Sequence, residues 1–160
     1  MASQSKNKEL AEKIAASLES KGADVSLIDL VSMDLPLYSS LTQDKLGIPS
    51  EINKLYDACI ASDAFVFVAP EYNGGLPPVL TNAIAWLSVK GKNWRDAFNK
   101  KVAGIATFSG GEGMQLIIGL RTQLAYIGLT VIGRSLSVNY KKELKEESLT
   151  DFSDQLVAKV

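Results

Sequence analysis

Pro70-Glu71-Tyr72-Asn73-Gly74-Gly75-Leu76-Pro77-Pro78 is the stretch whose reading decides the fold. It follows an apolar run, Phe65-Val66-Phe67-Val68-Ala69, with the unbroken hydrophobicity of a buried parallel strand. It precedes Val79 to Leu87, which reads as a helix, with Pro78 suited to a first helical turn. A Gly- and Pro-rich loop therefore sits at the carboxyl end of a strand, where open α/β sheets bind ligands. The prolines restrict the loop, and the glycines let backbone amides approach a ligand closely. The plain alternative is a rigid strand-to-helix turn that binds nothing.

The same pattern recurs downstream. Val102 to Phe108 reads as a strand running into Ser109-Gly110-Gly111-Glu112-Gly113, again a glycine-rich carboxyl end. This is no dinucleotide fingerprint, because the glycine spacing is wrong and it does not follow the first strand. A helix is expected over 114–127, with Leu116, Ile117, Leu120, Leu124 and Ile127 on one face. A last strand starts at 129–132, is interrupted at Gly133-Arg134 and resumes at 136–138; Ser148 opens a final helix.

Upstream, Leu10, Ala11, Ile14, Ala15 and Leu18 predict a helix over about 8–21, closed by Gly22. Val25, Leu27 and Ile28 predict a strand over about 24–30, followed by a loop at 34–38 and a polar surface connection. Ser50 opens a helix to about Ser62. Trp94 and Phe98 are expected to pack onto the fold, and Arg121 to be solvated or ion-paired.

The 160 residues fit one domain spanning 1–160, large enough to bury about two-thirds of the chain's surface. Net charge is −1 without a basic block, which argues against nucleic-acid binding. No apolar run approaches the ~20 residues of a membrane span. The single cysteine, Cys59, allows no intrachain disulfide and favours a cytoplasmic location. With no histidine, Ser-His-Asp and Cys-His arrangements and a Cys/His metal site are excluded. No catalytic side chain stands out, and a bound cofactor that carries the chemistry itself suits that constraint.

Pro70 to Ser88 as a whole, Pro-Glu-Tyr-Asn-Gly-Gly-Leu-Pro-Pro-Val-Leu-Thr-Asn-Ala-Ile-Ala-Trp-Leu-Ser, resembles the signature of the NADPH-dependent FMN reductase family, including its chromate- and quinone-reducing members. The resemblance implies a flavodoxin-like three-layer α/β/α fold with a parallel sheet, expected in the order 2-1-3-4-5. It implies that Pro70, Glu71, Tyr72, Asn73 and Gly74 pack against an FMN ring. Ser109, Gly110 and Gly111 resemble the family's second flavin loop, offering a hydroxyl and amides to the ring's carbonyls. Ser3, Gln4, Ser5 and Asn7 match, in shortened form, a loop that holds the FMN phosphate; an N-cap cluster without an anion is the other reading. Arg121 would then be one group able to reach a dinucleotide phosphate.

The family carries an apolar strand before that first loop, and none precedes Ser3 here. The expectation is that the sequence begins downstream of a natural start. Otherwise strands two and three meet directly, or another segment fills the gap. The implied function is transfer of hydride from NADPH or NADH through FMN to a small-molecule acceptor: a quinone, azo compound, chromate or free flavin. A homodimer or homotetramer is implied, with 79–86 near the subunit boundary. The alternatives are a flavodoxin-like electron carrier and a non-enzymatic relative that has lost the flavin.

Overall fold

The computed structural model describes residues 5–160. Six helices, α1 (Lys6–Glu19), α2 (Ser40–Leu46), α3 (Ser50–Ala61), α4 (Pro78–Ser88), α5 (Met114–Ile127) and α6 (Glu146–Val157), surround three strands, β1 (Ala64–Val68), β2 (Val102–Phe108) and β3 (Thr130–Val138). A single 3-10 turn, Trp94–Ala97, leads into β2. The strands are parallel and lie in the order β1-β2-β3. Each is joined to the next through a helix, as parallel pairing requires.

Alternation along β2 divides the core. Ala103 and Ile105 pack with Ile52 and Leu55 of α3, Ile84 and Trp86 of α4, and Leu116 to Ile127 of α5. Val102 and Ala106 pack on the opposite face with Leu10 and Ile14 of α1 and Phe152 of α6. Gly104 lies directly under the Phe152 ring, which leaves no room for a Cβ there. The result is the expected three-layer α/β/α arrangement, with all three strands' carboxyl ends at one rim.

Several expectations change. Residues 24–30 form no strand: they run without ladder bonds, and Leu27 is 58% exposed. A strand exists only where a neighbour completes its hydrogen bonds, and none lies beside this segment among the described residues. Among the described residues the sheet has three strands in the order β1-β2-β3, so the full order 2-1-3-4-5 is not seen, and no strand from residues 24–30 meets β1. For the same reason β1 is an edge strand, and its five residues are half-buried rather than enclosed. The polar connection after Tyr38 also contains α2, whose N-cap Ser39 accepts a hydrogen bond from Thr42 N at 3.0 Å.

The interruption expected at Gly133-Arg134 is a register shift within a continuous β3. Arg121 is part-buried and, among the described residues, bonds to β3 and not to a carboxylate. Its guanidinium donates to Ile132 O (2.8 Å), Gly133 O (3.3 Å) and Ser135 Oγ (2.9 Å), satisfying carbonyls that the irregular ladder leaves free. Trp94 and Phe98 pack edge to face at 6.1 Å, as expected.

Candidate functional site

Four segments meet at the rim. The first, Pro70 to Gly75, contains a tight turn: Tyr72 and Gly75 exchange both backbone bonds (3.0 and 2.9 Å), while Asn73 and Gly74 have φ of 48° and 74°. Two successive positive φ values define a type I′ turn, for which Asn-Gly is the preferred pair. The turn projects Tyr72, 57% exposed, away from the body. Pro77 then caps α4 with Pro78 at its first position.

The signature helix also has a structural task. Asn82 Oδ1 accepts from Tyr38 N (2.8 Å), its Nδ2 donates to Pro36 O (3.1 Å), and Trp86 Nε1 donates to the same carbonyl (2.7 Å). The Tyr38 ring stands edge-on to Trp86. Part of the signature therefore secures the 34–38 loop to α4.

The second segment, Ser109 to Gly113, is bound to the first. Ser109 is buried, and its hydroxyl accepts from Glu71 N (2.8 Å) and shares a hydrogen bond with Thr107 Oγ1 (2.7 Å). Glu71 Oε2 accepts from Gln115 N (3.0 Å) and Leu116 N (3.2 Å), the second and third amides of α5. Gly113, the N-cap, has φ of 66°, and a Cβ there would sit 2.6 Å from Thr107 Cγ2. It can carry no capping side chain, and Glu71 fills that role from 44 residues away.

The third segment is the start of α1. Asn7 Nδ2 donates to Phe108 O and Asn7 Oδ1 accepts from Phe108 N, both at 2.8 Å. Its amide is thus occupied in fixing α1 to the end of β2. Ser5, the N-cap, makes no side-chain capping bond. Lys6 pairs with Glu9 at 2.8 Å, and that bond raises its pKa. Ser3 and Gln4 lie outside the described residues.

The fourth segment, the end of β3 and the turn after it, falls where the sequence predicts only a charged, solvated connection over 141–147. Asn139 Nδ2 donates to Gly111 O (3.2 Å), Ser137 Oγ to Glu112 O (2.7 Å), and Lys142 pairs with Glu112 (3.3 Å). Tyr140 projects from this turn, its ring 5.0 Å from that of Phe108 and almost perpendicular to it. Its signal was positional only: it too follows a strand's carboxyl end.

The structure therefore brings Ser5, Asn7, Pro70 to Gly74 and Ser109 to Gly111 to one rim. Among the described residues, the backbone N–H groups of Asn73, Gly74, Gly110 and Gly111 donate to no protein acceptor. Gly74, Gly110 and Gly111 have open space where a Cβ would stand. Free amides, bare backbone and an exposed aromatic suit a planar group bearing carbonyl acceptors, and a helix N-terminus beside them suits an anion. FMN has both parts. No group of three or more His, Cys, Asp or Glu side chains able to hold a metal occurs among the described residues. No helix among them is long and apolar enough to cross a membrane.

Comparison with known proteins bears on the family and the fold. The chain is 42% identical over 55 residues to a quinone reductase of Escherichia coli, covering 34% of this chain and 29% of that protein. It is 33% identical over 98 residues to an NAD(P)H-dependent FMN reductase of Pseudomonas aeruginosa, covering 61% and 50%. It thus spans half or less of these two relatives. Its fold matches FerB, a flavoenzyme NAD(P)H:(acceptor) oxidoreductase from Paracoccus denitrificans, with a TM-score of 0.80 at 20% identity over 99% of this chain and 91% of that one. An archaeal flavodoxin matches with a TM-score of 0.65 at 14% identity over 99% and 90%. The family model for NADPH-dependent FMN reductase matches residues 1–143. The chain belongs to the NADPH-dependent FMN reductase family.

Proposed function

We propose that the protein binds FMN at the rim and moves reducing equivalents from NADPH or NADH to a small-molecule acceptor such as a quinone. The observation that carries this reading is the set of unpartnered amides at Asn73, Gly74, Gly110 and Gly111. The relatives named as quinone and FMN reductases support it. Bound FMN supplies the hydride-accepting and hydride-donating centre, so no side-chain base is required. Gly110 and Gly111 amides meet the ring's carbonyls, and Tyr72, Asn73 and Gly74 form its wall with Pro70 behind them. Ser5 and the first amides of α1 hold the phosphate, with Ser3 and Gln4 assigned to the same task. Glu71, Ser109 and Asn7 act by holding these segments in register.

A homodimer or homotetramer is the assembly we propose, joined through α4 and α5. Between Pro78 and Ser88 no residue is charged, and the exposed Tyr126 of α5 lines a cleft with Thr81, Ile84, Ala85 and Ser88 of α4. Arg95 stacks over Trp94 (4.4 Å) and faces Tyr126 (5.6 Å) at the edge of this face. Trp, Tyr and Arg are the residue types that dominate binding energy at interfaces. The single buried cysteine suits the reducing cytoplasm.

The test is FMN titration of the purified protein, followed by NADPH and NADH oxidation with and without quinone. Flavin uptake with acceptor-dependent oxidation is expected. Flavin uptake without oxidation of either nucleotide would make the protein an electron carrier. No uptake would refute the reading.

A further inference from the structure

We propose that Glu71 is a positioning residue whose charge sets the reduction potential of the flavin; this rests on the FMN reading above. Its carboxylate covers the second and third amides of α5 at 3.0 and 3.2 Å, and its own N–H is held by Ser109 Oγ at 2.8 Å. One residue therefore joins both ring-binding loops at two points. It also places a negative charge on the positive end of a 14-residue helix that starts at the rim.

Gly113 explains why the charge comes from so far away. Its positive φ and its contact with Thr107 exclude any capping side chain at the helix's own N-cap. A neutral cap would satisfy the same two amides. A carboxylate does so and cancels the local positive potential. The reduced flavin ring carries more negative charge than the oxidised one. A bare positive helix end would favour the reduced form, and Glu71 removes that preference.

Glu71→Gln separates the two roles, because the side-chain oxygen of glutamine still accepts both bonds while the charge is gone. Glu71→Ala removes bonds and charge together. In the FMN-loaded protein at pH 7, the potential is read by equilibration with a reference dye, and the affinity for oxidised FMN by fluorescence. E71Q is expected to bind oxidised FMN within about threefold of wild type. It should favour reduced over oxidised FMN about fivefold more than wild type does, from a helix-end interaction of about 1 kcal/mol. At 29.6 mV per tenfold in a two-electron couple, that is an upward shift of ~20 mV. E71A should bind oxidised FMN at least tenfold more weakly than E71Q. Equal potentials for wild type and E71Q would overturn the electrostatic role with the functional reading intact. Equal FMN affinities for E71A and E71Q would overturn the positioning role. A wild-type protein that takes up no FMN would overturn the functional reading and this inference together.

Discussion

Replacing Asn73 tests two causes that coincide at one residue. Its φ of 48° lies in the left-handed region, as does the 74° of Gly74 beside it. For an ordinary L-residue that conformation costs roughly 1–2 kcal/mol, and asparagine escapes part of this by local hydrogen bonding. Asn73→Ala should therefore destabilise the flavin-free protein by about 1 kcal/mol. Asn73→Gly should stay within about 0.5 kcal/mol of wild type, because glycine's ease in the turn is offset by its freedom in the unfolded chain. Loss of a ligand contact follows a different pattern, since both variants lack the amide side chain. If that amide bonds to FMN, both should bind it more weakly, and similarly. One hydrogen bond of about 0.5–1.5 kcal/mol corresponds to roughly 2- to 12-fold in affinity. Urea denaturation of the apo protein reads the first effect, and FMN fluorescence titration reads the second. If N73A were no less stable than N73G, the turn argument would fail. If both variants bound FMN like wild type, Asn73 would be a turn residue only.

Trp86→Phe keeps most of the buried volume but strips the Pro36 carbonyl of its 2.7 Å donor, leaving Asn82 as its partner. A loss of about 1–2 kcal/mol in urea denaturation is expected, and no change would show that the indole N–H is dispensable. Gly113→Ala combines a φ of 66° with a 2.6 Å approach to Thr107 Cγ2. It should lower stability by at least about 2 kcal/mol, and a melting temperature equal to wild type's would contradict the geometry. Burial pushes the Cys59 thiol up to about 11, against a smaller opposing pull from Lys101. The raised pKa keeps it protonated through pH 8, so a thiol reagent should label native protein far more slowly than urea-unfolded protein. The native rate should rise only as pH nears 11, and equal rates at pH 8 would refute the burial argument.

Local features of the fold were readable because local chemistry causes them. Helix α5 follows from its apolar spacing, and α4 from Pro78 and the run behind it. The rim was readable because glycine-rich loops end two successive strands. What escaped depends on partners distant in sequence. Asn7 looked like a phosphate ligand, and only folding reveals that Phe108, 101 residues on, occupies its amide. Glu71 looked like part of a flavin wall, and its bonds to α5 cannot be read from spacing. Residues 24–30 have a strand's apolar members, yet strand identity belongs to a pair of segments and not to one. Helix α2 was hidden by its polarity, since a short exposed helix buries no face to mark its period.

The Asn7 clasp has a consequence for substitution. A primary amide is chemically a peptide group, so this side chain adds one more rung to the ladder at the tip of the central strand. No isostere reproduces it. Aspartate accepts from Phe108 N but turns a second oxygen toward Phe108 O, lone pair against lone pair. Leucine matches the volume and answers neither atom. The helix that begins at residue 6 is thereby pinned to the strand tip by a rung that only an amide can make.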